Sequence, residues 1–230
     1  MPRQLQIAAG GAALVAVVSI GMFLYLTRGI PLPSADIQTS VQQLDVASES
    51  EATLFRISQD ESLVEYNIDE VLNGSPKTVV GTTNEVAGYI VIDLDQLSES
   101  QVGEIAINAR TFATDDERRD NSVARFVLQS ETDANEFIIF EPTTISGLPD
   151  SADVGDTLEF QVTGDLTIAA TTQAVTFDVT ATLEAVDRLA GYAEATILRS
   201  DFDLSIPSVP FVADVSDQVT LKLDFAADAT

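Results

Sequence analysis

In GDLTIAATTQAVTFDVTATLEAV, Gly164 to Val186, apolar and polar residues alternate on both sides of a short polar interruption. Leu166 and Ile168 share a face before the interruption. Val175, Phe177, Val179 and Leu183 share one after it, opposite Thr176, Asp178, Thr180, Thr182 and Glu184. A period of two describes a strand with one dry side. The pattern recurs along the chain. LVEYNI sets Val64, Tyr66 and Ile68 on one face, and EVAGYIVIDL does so with Ile90, Ile92 and Leu94. GEIAINAR sets Ile105 and Ile107 against Glu104, Ala106 and Asn108. LEFQVTGDLTI offers Leu158, Phe160, Val162, Leu166 and Ile168, and VTLKLDFA offers Val219, Leu221, Leu223 and Phe225. NEFIIFEP is apolar on both faces, Phe137 and Ile139 on one and Ile138 and Phe140 on the other.

Helical spacing is confined to Asp116–Glu131, where Val123, Phe126 and Val127 fall at i, i+3 and i+4. With no alternation of strands and helices, a parallel sheet is not expected. The prediction is all-β: seven to nine antiparallel strands with one short helix in a connection. Closure into a barrel would remove exposed edges, and a two-sheet sandwich is the alternative.

The first fifty residues differ. Ile7 to Leu26 is a run of twenty residues without a charge, the length a helix needs to cross a bilayer. It is longer than the apolar core of a secretory signal, and no small-residue cleavage pattern follows it. Residues 1–28 are therefore expected to form an uncleaved transmembrane anchor. Residues 29–51 follow as a flexible tether that begins with Pro31 and Pro33, and 52–227 form the β domain. Arg3 and the α-amine favour a cytoplasmic amino terminus, leaving the large domain extracytoplasmic at the cell membrane.

Composition then narrows the chemistry. The chain of 230 residues has 37 acidic and 11 basic residues, and every acid lies after residue 35. So negative a surface repels nucleic acid and anionic headgroups. There is no cysteine and no histidine, which removes disulfides, thiolate chemistry, a Ser-His-Asp triad and the usual zinc sites. The acids Asp115, Asp116, Glu117 and Asp120 lack the spacing of a calcium loop and read as a solvated turn paired with Arg118 and Arg119. Arg199 reads as a tie between strand ends and a carboxylate. No metal site and no enzymatic role are expected.

Four stretches, in order, resemble the YceI-like family of polyisoprenoid-binding, lipocalin-like proteins: TFATDDERRDNSVARF, NEFIIFEPTTISGL, GDLTIAATTQAVTFDV and ILRSDFDLSIP. The resemblance runs from about Phe55 to Phe225. It implies an eight-stranded antiparallel barrel that holds a long-chain isoprenoid or similar amphiphile, such as a polyisoprenoid or quinone-like lipid, and an exported protein. The hairpin departs from the family pattern: Ile168 to Val175 lacks the glycine, basic residues and proline usual there, so a differently shaped turn is expected. The candidate ligand-binding residues are the inward apolar ones: Ile105, Ile107, Phe137, Ile139, Phe160, Val162, Phe177, Val179, Leu221 and Leu223. The expected function is a membrane-anchored carrier or store of such a lipid, with a homodimer left open. The alternative is an anchored β module that binds a protein or polymer through its acidic surface, with no internal ligand.

Overall fold

The computed structural model describes residues 31–33, 36–46 and 52–230. The expected anchor, residues 1–28, lies outside them. Among the described residues no helix is long and apolar enough to cross a membrane.

Among the described residues, thirteen strand segments form one sheet: β1 (Thr53–Ile57), β2 (Leu63–Leu72), β3 (Ser75–Thr83), β4 (Val86–Ala87), β5 (Tyr89–Ile92), β6 (Gln101–Val102), β7 (Ile105–Asn108), β8 (Phe137–Ser146), β9 (Thr157–Ile168), β10 (Thr171–Ala185), β11 (Arg188–Leu198), β12 (Val212–Ala213) and β13 (Gln218–Ala229). All pairings are antiparallel. Several segments are pieces of one bent strand. β1 and β2 both pair with β13, and β12 and β13 both pair with β2. β3, β4 and β5 follow one another and pair in turn with β2, β7 and β1. β6 and β7 continue the strand alongside. Joined in this way, the thirteen segments make eight strands in simple up-and-down order.

The ladder closes on itself. Its path begins at β4 and ends at β5 and β6, yet only Gly88 separates β4 from β5 in the chain. The Ile57 N–H donates to the Gly88 carbonyl across the junction (3.0 Å). Closure of the ladder means that the barrel alternative, and not the sandwich, describes the fold of the described residues.

The alternation in β9 and β10 becomes two faces. Leu166, Ile168, Val179 and Leu183 are buried inside. Outside, threonines meet in cross-strand hydroxyl pairs: Thr157 with Thr182 (2.7 Å), Thr163 with Thr176 (2.8 Å) and Thr167 with Thr172 (2.8 Å). Such pairs stabilise a register in which a one-residue slip would send the whole apolar face into water. The hairpin turns through Ala169 and Ala170, both with positive φ (47° and 67°). This is the two-residue turn favoured by strand twist, built without the glycine it prefers.

The helix α1 (Glu117–Ser122) begins at Asp116, whose carboxylate accepts from the Arg118 N–H (2.9 Å). It passes into a wider π turn over Val123–Val127, closed by the Leu128 N–H on the Val123 carbonyl (2.8 Å). The extra residue in that turn separates Phe126, which is exposed, from Val123 and Val127, which pack on the core.

Part of the stretch read as a tether packs on the barrel. Asp36 caps a short 3₁₀ turn, Ile37–Thr39, and Ile37 is 0% exposed. Ile37 and Val41 cover an outer apolar patch made by Ala87, Ala106, Tyr89, Phe137 and Ile139.

Candidate ligand-binding tunnel

Two cavities follow one another along the barrel interior, of about 190 Å³ and 510 Å³. Tyr66, Phe112, Ile138, Ile168 and Leu221 line both and form the waist between them. The first chamber lies towards Val64 on β2 and Phe225 on β13, and the second towards Leu72 and Val219. The second is already the size of an ordinary small-ligand site.

Of the residues expected from the sequence, Ile105, Ile107, Phe160, Val162, Phe177, Val179, Leu221 and Leu223 line the first chamber, and Leu221 reaches the second. Phe137 and Ile139 do not line either chamber. They point outward, under Ile37, and their neighbours Ile138 and Phe140 face the lumen instead. The run is apolar on both faces because both faces are covered, so alternation does not say which is inward.

The walls are shaped by glycine. Tyr66 is paired with Gly81, and a Cβ at Gly81 would stand 2.2 Å from the Tyr66 ring. Phe225 is paired with Gly191, where a Cβ would stand 2.5 Å from its ring. With no side chain on the facing strand, each ring lies back against the wall. Phe112 meets Tyr66 edge-on at 5.3 Å, and Phe140 meets Phe177 at 5.0 Å. Tyr66 and Phe112 were not among the expected site residues. Tyr66 was legible as inward-facing, but its glycine partner is set by register.

The two chambers differ at their outer ends. The first is apolar save for groups at its rim, among them Ser100, Gln101, Asp153 and Asp156. The second ends under α1 and the loop Leu204–Val215, with Glu70, Asp116, Arg118, Arg119 and Arg199 in its lining. Val209 and Phe211 belong to that lining and are also exposed, Phe211 at 76%. The Asn73 N–H, donating to the Phe211 carbonyl (2.8 Å), holds the loop at this mouth.

The charged groups here are paired. Arg118 meets Asp116 (3.0 Å), holding that carboxyl down at about 2 with help from the backbone N–H. Arg119 pairs with Asp115 and lies 3.5 Å from Glu70. Lys77 and then Arg119 keep the Asp115 carboxyl below its usual range. Asp120 accepts from the Thr114 N–H (2.8 Å) and hydroxyl (2.5 Å). The acids of this turn are thus occupied in capping and ion pairs, and among the described residues no acid cluster has metal-holding geometry. Arg199 donates to the Ser216 and Leu204 carbonyls (both 3.1 Å) and faces Asp217 (3.8 Å), tying the end of β11 to the start of β13.

A closed antiparallel barrel around an elongated apolar cavity is the architecture of barrels that can enclose a hydrophobic molecule. The model of the YceI-like domain matches residues 55–227, and the chain belongs to that family. No curated protein matches the chain. Among solved structures it is similar to BcnA of Burkholderia cenocepacia, with 18% identity and a TM-score of 0.57 over 74% of this chain and 98% of that one. It is also similar to a polyisoprenoid-binding domain from Saccharophagus degradans implicated in plant cell wall breakdown, with 10% identity and a TM-score of 0.61 over 76% and 98%. The YceI protein of Campylobacter jejuni matches at 16% identity and a TM-score of 0.50, over 63% and 81%. At these identities the likeness is one of fold.

Proposed function

We propose that this protein binds a long-chain isoprenoid or similar amphiphilic lipid inside the barrel and carries or stores it. The observation that carries the reading is the pair of apolar chambers meeting at a common waist, one of them ending in an exposed mouth at Phe211. Family membership and the likeness to a polyisoprenoid-binding domain support it. Each buried CH₂ of a ligand contributes about 0.8 kcal/mol, so several isoprene units suffice for binding without any catalytic group. Native mass spectrometry after gentle purification tests it. The expected result is a co-purifying lipid, or stoichiometric uptake of a labelled isoprenoid after delipidation. A homogeneous lipid-free protein that takes up none would overturn the reading.

The same proposal makes residues 1–28 a membrane anchor with the barrel on the extracytoplasmic side, supported by the charge-free run Ile7–Leu26 and by Arg3. Deleting residues 1–28 is expected to move the protein from the membrane to the soluble fraction while lipid uptake persists. A truncated chain that still sediments with membranes would refute the anchor.

A further inference from the structure

The loop over the second mouth is apolar towards water as well as towards the chamber. Leu204–Ala213, LSIPSVPFVA, is a run of ten residues without a charge in a chain of formal net charge −26. Pro207, Val209, Pro210 and Phe211 line the chamber and are also exposed. Apolar side chains left together in water are unfavourable and mark a surface that something else covers. Phe211 is 76% exposed and holds a φ of 71°, a left-handed conformation that bulky residues rarely adopt. Strain and exposure at one residue fit a contact made outside the barrel. The first chamber's rim differs: there the exposed Val154 stands between two acids, Asp153 and Asp156.

The amino-terminal segment meets the barrel at this same end. Arg110, buried in the connection that carries α1, donates to the Leu32 carbonyl (3.3 Å), and the Leu32 side chain is itself exposed. The segment then follows the outside of the wall. Ile37 covers Ala87, Ala106 and Phe137, and Leu44 lies at Gly103, where a Cβ would stand 3.2 Å from it. It therefore starts where α1 and the loop Leu204–Val215 close the second chamber, and reaches the first chamber's end, beside Gln101 and Val102, only at Leu44. The charge-free run Ile7–Leu26 precedes Pro31 by the residues Thr27–Ile30, and the five steps from Leu26 to Pro31 reach at most about 18 Å when extended. A run long enough to cross a bilayer is thus joined, by a short link, to the barrel end that bears the apolar loop.

We propose that the second mouth docks on the surface of a lipid bilayer, with Val209 and Phe211 inserted at the boundary of headgroups and acyl chains and the tunnel opening onto the membrane. An apolar molecule then passes between bilayer and barrel without crossing water. Few side chains insert, so the contact is weak by itself. The short link makes it effective, because it holds the loop at a high local concentration at the bilayer. The charge-free loop is also the part of so acidic a surface that headgroups do not repel. The proposal goes beyond lipid binding and rests on residues 1–28 being the anchor.

The chain has no cysteine, so a single introduced one is the only site a thiol-directed spin label can take. The full chain carrying Phe211→Cys, or Ser151→Cys at the first chamber's rim, is spin-labelled and reconstituted into phosphatidylcholine vesicles. Electron paramagnetic resonance then compares collisions with molecular oxygen, which concentrates in the bilayer, and with a water-soluble nickel chelate. The ratio of oxygen to nickel collisions is expected to be about threefold or more higher at 211 than at 151. Adding Val209→Asp is expected to lower the ratio at 211 to the level at 151, while the chain stays on the vesicles through an alkaline carbonate wash. Equal ratios at 211 and 151 overturn the proposal. A ratio at 211 that V209D leaves unchanged places the label in the tunnel and overturns it too. Spin–spin broadening at 211 makes a second copy of the chain the occupant, with the same consequence. A chain that carbonate washes off has no anchor, and then the reading of residues 1–28 falls and the proposal with it.

Discussion

Arg110 and Glu136 show how much one buried side chain can hold. Both side chains are 1% exposed, and the guanidinium lies 2.8 Å from the carboxylate. Arg110 also donates to the Ser130 carbonyl (2.7 Å) and to Asp133 (2.7 Å), so it clamps the connection between β7 and β8 from inside. Replacing Arg110 with Met is expected to cost about 3–5 kcal/mol, since a buried carboxylate loses its counter-charge. The double variant R110M/E136L is expected to recover a large part of that loss, measured by urea denaturation. A double variant as unstable as R110M alone would show that the arginine acts through its carbonyl contacts instead. At the tunnel wall, Gly191→Ala would set a Cβ 2.5 Å from the Phe225 ring and 2.8 Å from the Thr180 carbonyl. The ring must then swing towards the lumen. The expected outcome is a loss of about 1–3 kcal/mol together with reduced lipid uptake. Unchanged uptake in a folded G191A protein would mean that Phe225 does not border the occupied space. The inward apolar positions were legible in the sequence wherever a polar residue faced the other way, as at Ile105, Phe160 and Val179. They were not legible at Phe137–Phe140, where Ile37, distant in sequence, buries the second face.

At the scale of elements, the hairpin of β9 and β10 carries a defect that can be removed. Ala169 and Ala170 both hold the left-handed conformation, which costs an ordinary residue about 1–2 kcal/mol. The pair A169N/A170G supplies the residues such a turn prefers. It is expected to raise stability by about 1–2 kcal/mol with lipid uptake unchanged, read from thermal melts at fixed protein concentration. A lower Tm would mean that the alanine methyls pack more usefully than their backbone strain costs. The departure of Ile168–Val175 from the family pattern was visible in the sequence, and it falls on this turn. The breaks within long strands were less visible. Gly88 and Gly103 mark two of them, as glycine in a strand often does, but the break between β1 and β2 carries no glycine and is made by the 3₁₀ turn Gln59–Glu61. The helix was legible as a region, whereas its π turn, which turns Phe126 outward, has no counterpart in a simple i, i+3, i+4 reading.

At the scale of the whole molecule, charge opposes compactness. The chain's formal net charge is −26 with every acid after residue 35, so the barrel is self-repulsive, and the repulsion is screened as the Debye length shrinks from about 30 Å in dilute buffer to about 3 Å in molar salt. Lowering the pH from about 7 to about 5 works in the same direction, and the individually lowered carboxyls do not oppose it until the pH reaches the unfolded carboxyl range. Burial, with the nearby charge of Glu141, raises the Glu104 carboxyl, so its ionised form burdens the folded state and protonation relieves it as the pH falls. Glu61, Asp115, Asp116 and Asp217 have lowered values, chiefly through hydrogen bonds from Arg188, Lys77, Arg118 and Ser200 respectively. What they contribute is fully present above the unfolded carboxyl range and is lost progressively as the pH falls from that range, about 4, through their folded values, about 2 for Asp116. In low salt the Tm is therefore expected to rise from about pH 7 to about pH 5 and to turn down only towards about pH 3. In about 1 M sodium chloride the rise should largely vanish, because screening has already removed what protonation would remove. A Tm that is flat with salt and falls steadily below neutrality would refute this account, and would make the paired carboxylates, not the diffuse charge, the electrostatic control on the fold.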